Sequence, residues 1–180
     1  MCSASRCAGA PKKVALTVDA DDDMLASIIA ALQPDMLQLH GKETPKRVAI
    51  VRTRFGLPVM KALPVAVRAD LGPAREYAQV ADRLIFDARA PQDATRPGGL
   101  GKPFDWHLLA GLDVPVPFML SGGLNAANVT EALQVTQALG VDVSSGVERE
   151  PGVKDADKIR AFIAAARAAA PLDLPKESIV

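Results

Sequence analysis

Apolar and polar positions along this chain alternate in a repeat of roughly 22 to 25 residues, each unit a short apolar run followed by a stretch with apolar residues three and four apart. Val14-Ala15-Leu16-Thr17-Val18 reads as the first strand. Asp21 to Asp23 then cap and charge a helix whose apolar positions are Met24, Leu25, Ile28, Ile29 and Leu32. Met36 to Leu39 reads as the second strand, ending at His40-Gly41. Thr44-Pro45 opens the next helix, Val48, Val51 and Phe55 form its apolar stripe, and Gly56 ends it. Val59 to Leu63 is the third strand, followed by a helix over Arg68 to Gln79. Arg83-Leu84-Ile85-Phe86 is the fourth, ending in Asp87-Ala88.

The segment Arg89 to Phe104 breaks the rhythm. It is rich in Pro and Gly without apolar period, and a loop of that length inside a compact domain is functional or disordered. Asp105 to Leu109 begins a short helix. Phe118-Met119-Leu120 and Val141-Asp142-Val143 are the last two strands, each breaking into small residues: Ser121-Gly122-Gly123 and Ser144-Ser145-Gly146. Asn125 can cap a helix carrying Val129, Ala132, Leu133 and Val135, and Asp155 to Ala168 forms a final amphipathic helix. Six strands, each followed by a helix, mean a parallel sheet. An open doubly wound sheet places its glycine-rich turn early, whereas a βα-barrel binds phosphate after its last two strands. Here the glycine turns come last. Six units are two short of a closed barrel.

Composition narrows the function classes. A chain of 180 residues, 49% hydrophobic, can bury a sizeable core, and the reading is one domain over 1–180 with 1–12 and 171–180 irregular. Twenty-one basic residues balance 21 acidic ones, giving no electrostatic reason to propose nucleic acid or a membrane surface as partner. Cys2 and Cys7 suggest neither a disulfide framework nor a zinc site. No apolar run is long enough to span a bilayer, and the opening residues lack the apolar segment of a secretory signal, so a cytoplasmic location is expected.

In a βα-barrel, reactive groups stand at the C-terminal ends of strands. Those ends are Asp19, His40, Lys61 with Leu63, Asp87, Ser121 and Asp142. Asp87 directly follows an apolar strand and precedes the irregular loop, which suits a general acid, or else a helix cap or a loop hydrogen bond. His40, one of two histidines, has no second ligand at metal spacing and is read as a hydrogen-bonded structural group. Lys61 inside an apolar strand could form a Schiff base or pair with a carboxylate, and pairing is favoured. Gly122, Gly123 and Gly146 let backbone approach a ligand closely. Together the two turns favour phosphate; each alone is equally well a tight βα turn.

Five strings in order make a resemblance specific: Asp35-Met36-Leu37-Gln38-Leu39-His40-Gly41; Phe86-Asp87-Ala88; Gly98-Gly99-Leu100-Gly101-Lys102-Pro103-Phe104-Asp105-Trp106; Leu120-Ser121-Gly122-Gly123-Leu124; and Asp142-Val143-Ser144-Ser145-Gly146-Val147-Glu148. Over about Lys13 to Ala168 the chain resembles the phosphoribosylanthranilate isomerases, TIM-barrel enzymes of tryptophan biosynthesis. The resemblance implies an Amadori rearrangement of a small phosphorylated substrate, without cofactor or metal. It makes Asp87 the general acid, matches Gly122, Gly123, Ser145 and Gly146 to phosphate-binding turns, and puts His40 and Asp142 in the substrate pocket.

The match lacks two family motifs. A first strand ending in Lys-Ile-Cys-Gly, whose cysteine is the general base, is not in this sequence, and neither is a Ser-Pro-Arg motif; Cys7 and Arg6 do not sit in those contexts. The six strands therefore correspond to the third through eighth of the barrel, an (βα)8 fold lacking its first two βα units. The expectation is a shortened gene product whose end strands stand roughly 14 Å apart, with unpaired edges open to self-association. Two rivals follow. Indole-glycerol-phosphate synthase relies on strand-end lysines and glutamates that this set does not supply. A non-catalytic phosphate-binding remnant would keep the glycine turns without the base.

Overall fold

A computed structural model describes residues 11–89 and 104–169. Six strands form one parallel sheet: β1 (Val14–Thr17), β2 (Met36–Leu39), β3 (Val59–Val65), β4 (Arg83–Ala88), β5 (Phe118–Leu120) and β6 (Gly140–Val141). They lie in sequential order, each hydrogen-bonded to the next, in a curled half-barrel. The helices are α1 (Asp22–Leu32), α2 (Pro45–Phe55), α3 (Ala74–Tyr77), α4 (Val129–Thr136) and α5 (Ala156–Ala169). A small antiparallel hairpin, β7 (Glu148–Glu150) with β8 (Val153–Lys154), stands between β6 and α5.

Side-chain alternation decides between the two candidate architectures. Ala15, Leu37, Leu39, Val59, Leu63, Val65, Leu84, Phe86 and Leu120 pack with Leu25, Val48, Val51, Ala74, Val129, Ala132 and Phe162, which come from all five helices. The alternate positions Met60, Ala62 and Ile85, with Met36 and Met119, form a separate cluster containing no helical residue. All helices thus cover one face, and the other face is a barrel interior rather than half of a doubly wound sheet.

Local chemistry explains most boundaries. Asp21 accepts from Met24 N–H and caps α1; Thr44 accepts from Arg47 N–H and caps α2, with Pro45 in its first turn and Gly56 closing it in the left-handed region. The helix expected over Arg68 to Gln79 is instead a 3-10 turn, Arg68–Leu71, followed by the single α-turn α3. Gly72-Pro73 interrupts it, because proline has no N–H to donate and disfavours a helical residue before it. Asn125 does not cap α4. Its side chain accepts from Ala127 N–H, and the helix begins after Asn128. The last strand ends at Val141, short of Val143, and a 3-10 turn over Ser145–Val147 follows it rather than a helix directly. Most of the expected loop, the expected irregular N-terminal end apart from Pro11 and Lys12, and the whole of the expected irregular C-terminal end, 171–180, lie outside the described residues.

Among the described residues, β1 and β6 each pair on one side only. The inward side chains of β1 consequently remain open: Val14 and Leu16 are 45% and 55% exposed, and Val18 just beyond the strand is 47% exposed. No described helix is long and apolar enough to cross a membrane.

Candidate functional site

Strand register brings the distant strand ends together. Pro64 pairs with Asp87 across β3 and β4, and Phe86 pairs with Leu120 across β4 and β5, which sets Asp87 beside Ser121. Leu120 pairs with Val141, which sets Ser121 beside Asp142. His40 follows β2 on the inner face, its N–H donating to the Thr17 carbonyl of β1. All seven residues expected from the sequence line one cavity of about 260 Å³: His40, Asp87, Gly122, Gly123, Asp142, Ser145 and Gly146. Leu16, Ser121, Leu124, Val143, Ser144, Glu148 and Gly152 complete the wall.

Polar contacts order the floor. Asp87 is 5% exposed, and its Oδ2 lies 3.2 Å from His40 Nε2. His40 Nδ1 lies 3.1 Å from Gln38 Nε2, a buried amide that sequence reasoning passed over. The available signal was spacing, since residues two apart on a strand share a face. Ser121 Oγ donates to Asp142 Oδ2 at 3.1 Å.

The two glycine turns are tight for steric reasons. Gly122 has φ +90°, and a Cβ there would meet the Ala88 backbone nitrogen at 2.5 Å. A Cβ on Gly146 would collide with the Leu124 carbonyl oxygen, so the second turn is packed directly against the first. Among the described residues the backbone N–H groups of Gly122, Gly123, Ser145 and Gly146 find no protein acceptor. Among the described residues the wall holds no lysine or arginine. An anion here would be met by backbone dipoles rather than by a cation, as at other N–H cradles.

Lys61 takes no part in this cavity. Its side chain faces the helix layer, where its ammonium donates to Glu43 Oε2 at 3.0 Å, Gly41 O at 2.8 Å and Leu39 O at 3.2 Å. Pairing, rather than a Schiff base, is what the position is built for. Glu43 in turn accepts from the backbone N–H groups of Asp19 and Gly41, tying the ends of β1 and β2 together just below His40. Burial pushes the Glu43 carboxyl up, but the Lys61 hydrogen bond and charge, with the backbone donors, outweigh it and hold the group below its ordinary value of 4.5.

The family model for N-(5'-phosphoribosyl)anthranilate (PRA) isomerase matches residues 3–165. The chain belongs to that isomerase family. It is 67% identical over 156 residues to the N-(5'-phosphoribosyl)anthranilate isomerase of Bradyrhizobium diazoefficiens, covering 87% of this chain and 70% of that protein. It is 65% identical over 161 residues to that of Nitrobacter winogradskyi, covering 89% and 72%. The phosphoribosylanthranilate isomerase structure from Thermotoga maritima superposes with a TM-score of 0.76 at 34% identity, covering 87% of this chain and 73% of that one. A further structure of the isomerase, in complex with reduced 1-(o-carboxyphenylamino)-1-deoxyribulose 5-phosphate, gives 0.70 at 30% identity, covering 87% and 72%.

Membership carries the function of a phosphoribosylanthranilate isomerase of tryptophan biosynthesis, and the six strands are those of a TIM barrel of this type. No observation favours the non-catalytic remnant. Cys7 and Arg6 lie outside the described residues.

Proposed function

We propose that the rim cavity binds N-(5-phosphoribosyl)anthranilate with its phosphate on the N–H groups of Gly122, Gly123, Ser145 and Gly146, and that Asp87 is the general acid. The observation that carries this reading is the shared cavity: a buried carboxyl and four backbone donors that find no acceptor among the described residues line the same small space. The relative solved with a reduced deoxyribulose 5-phosphate supports a phosphorylated ligand.

The chemistry follows from the charges. As the ribose ring opens, the anilino nitrogen lone pair forms a C=N bond at C1, and the C1–O bond electrons pass to the ring oxygen. Asp87 supplies the proton that oxygen takes, so no alkoxide accumulates. Loss of the C2 proton then gives the enamine, which becomes the ketone form. His40 holds Asp87, and Asp142 with Ser121 fixes the wall beside the phosphate turns. These residues supply the acid and the binding half of the reaction; the base that removes the C2 proton is not among them.

Two broader expectations belong here. The protein works in the cytoplasm, as suits a biosynthetic enzyme with a small phosphorylated substrate. The open inner face of β1, with Val14, Leu16 and Val18 exposed, favours self-association at high concentration.

The test is steady-state turnover of Asp87→Asn in a version that also carries the family's Lys-Ile-Cys-Gly strand. A loss of about 10²–10⁴ in kcat with a native circular dichroism spectrum is expected. Turnover equal to wild type would remove Asp87 from the mechanism.

A further inference from the structure

Gln38, His40 and Asp87 form a line of hydrogen bonds from the middle of the sheet to its rim. Gln38 is 7% exposed. A neutral imidazole has one donor and one acceptor nitrogen, and its neighbours decide which is which. An amide NH2 only donates. With Gln38 Nε2 at Nδ1, that ring nitrogen must accept, the proton sits on Nε2, and His40 donates to Asp87 Oδ2.

We propose that Gln38 is a positioning residue for the isomerisation: by fixing the His40 tautomer it directs the acid proton of Asp87 away from the protein and toward the sugar. The inference rests on Asp87 being the general acid. With Oδ2 accepting from His40, the transferable proton occupies Oδ1, which has no partner among the described residues. From Oδ1 it passes to the ring oxygen as the C1–O bond breaks, leaving Asp87 as carboxylate and the substrate as a protonated Schiff base. In the opposite tautomer the Nε2 lone pair would face Oδ2. A protonated Asp87 would then hydrogen-bond to His40, and its proton would be turned from the substrate.

The chain has only two histidines, and His107 is largely exposed on the 3-10 turn after Asp105, so imidazole 15N spectra report His40 cleanly. Wild type is expected to show His40 protonated at Nε2 alone. In Gln38→Glu, equal in size and acceptor-only at a pH where the new carboxyl is ionised, Nδ1 should gain a proton, either by a switch of tautomer or by forming the imidazolium. Turnover should fall about 10–100-fold, the range found for hydrogen-bond partners that orient metal-bound histidines, with little change in affinity for the reduced deoxyribulose phosphate. Gln38→Met, which neither donates nor accepts, should give mixed tautomers and a smaller loss. A proton on Nδ1 in wild type, or a Gln38→Glu spectrum like wild type, overturns the proposal. So does a shifted proton with unchanged turnover, provided Asp87→Asn is inactive. If Asp87→Asn is itself fully active, the acid assignment has failed and the proton-directing role with it, whatever the His40 spectrum shows.

Discussion

Replacing Lys61 with methionine isolates the buried pair that ties the strand ends beneath the site. Lys61 and Glu43 side chains are 2% and 3% exposed, and all three ammonium hydrogens are used, on Glu43 Oε2, Gly41 O and Leu39 O. Methionine keeps the length and apolar stem but leaves a buried carboxylate without its cation. Removing one partner of such a pair costs about 3–5 kcal/mol, mostly from the charge left behind. Glu43 retains the Asp19 and Gly41 N–H groups, which argues for the lower end. Denaturant unfolding should show the midpoint falling with an unchanged slope.

The pH dependence separates this cause from lost packing. In wild type the Glu43 carboxyl is held below 4.5, so its contribution to stability is full above that value and is lost as pH falls through the lowered folded value. In Lys61→Met, burial acts unopposed by the cation and raises the same carboxyl, so that variant loses stability as pH rises. The gap between the two proteins must therefore widen from pH 4 to pH 7, values spanning roughly the carboxylate range and neutrality. Adding Glu43→Gln to Lys61→Met should recover a good part of the loss, since the neutral amide oxygen can still accept from the backbone. A Lys61→Met loss under about 1 kcal/mol, or one independent of pH, would refute the reasoning.

Other consequences are more local. Gly146→Ala should weaken binding of the reduced deoxyribulose phosphate at least tenfold, because the new methyl displaces the Leu124 carbonyl and opens the turn; calorimetry reads this directly. Asp70, burial of which is outweighed by the Val67 and Ala66 N–H groups and by Arg89, should give its stabilisation above the ordinary carboxylate range and lose it on acidification, a component absent in Asp70→Asn. Val14→Lys with Val18→Lys should lower any concentration-dependent sedimentation without shifting the unfolding midpoint by more than about 0.5 kcal/mol, because both side chains are half exposed in the single chain.

Much of this architecture was written in the sequence because strand ends and helix starts carry local chemistry. Asp21, Thr44-Pro45 and Gly56 mark helix boundaries through hydrogen bonds that each makes within four residues, so the pattern alone places them. Asp87 and the glycine turns were legible for a similar reason, standing where apolar runs stop. What stayed hidden depends on tertiary return of the chain. Glu43 becomes the partner of Lys61 only when the loop after β2 folds back over β3, and nothing in the spacing of 18 residues announces it. Gln38 reads as an ordinary inward polar residue until the His40 ring is seen turned toward Asp87. Asn125 looked like a cap because it precedes the apolar period; the chain spends one more turn before α4 begins, and its side chain closes that turn instead.

A single titration puts the shared site to its hardest trial: backbone amide spectra of the isotopically labelled chain as the reduced deoxyribulose 5-phosphate is added. The amides of Gly122, Gly123, Ser145 and Gly146 should shift together and saturably, with Asp87 following the same binding curve. Shifts confined to one of the two turns, or centred on residues away from the rim cavity, would contradict it.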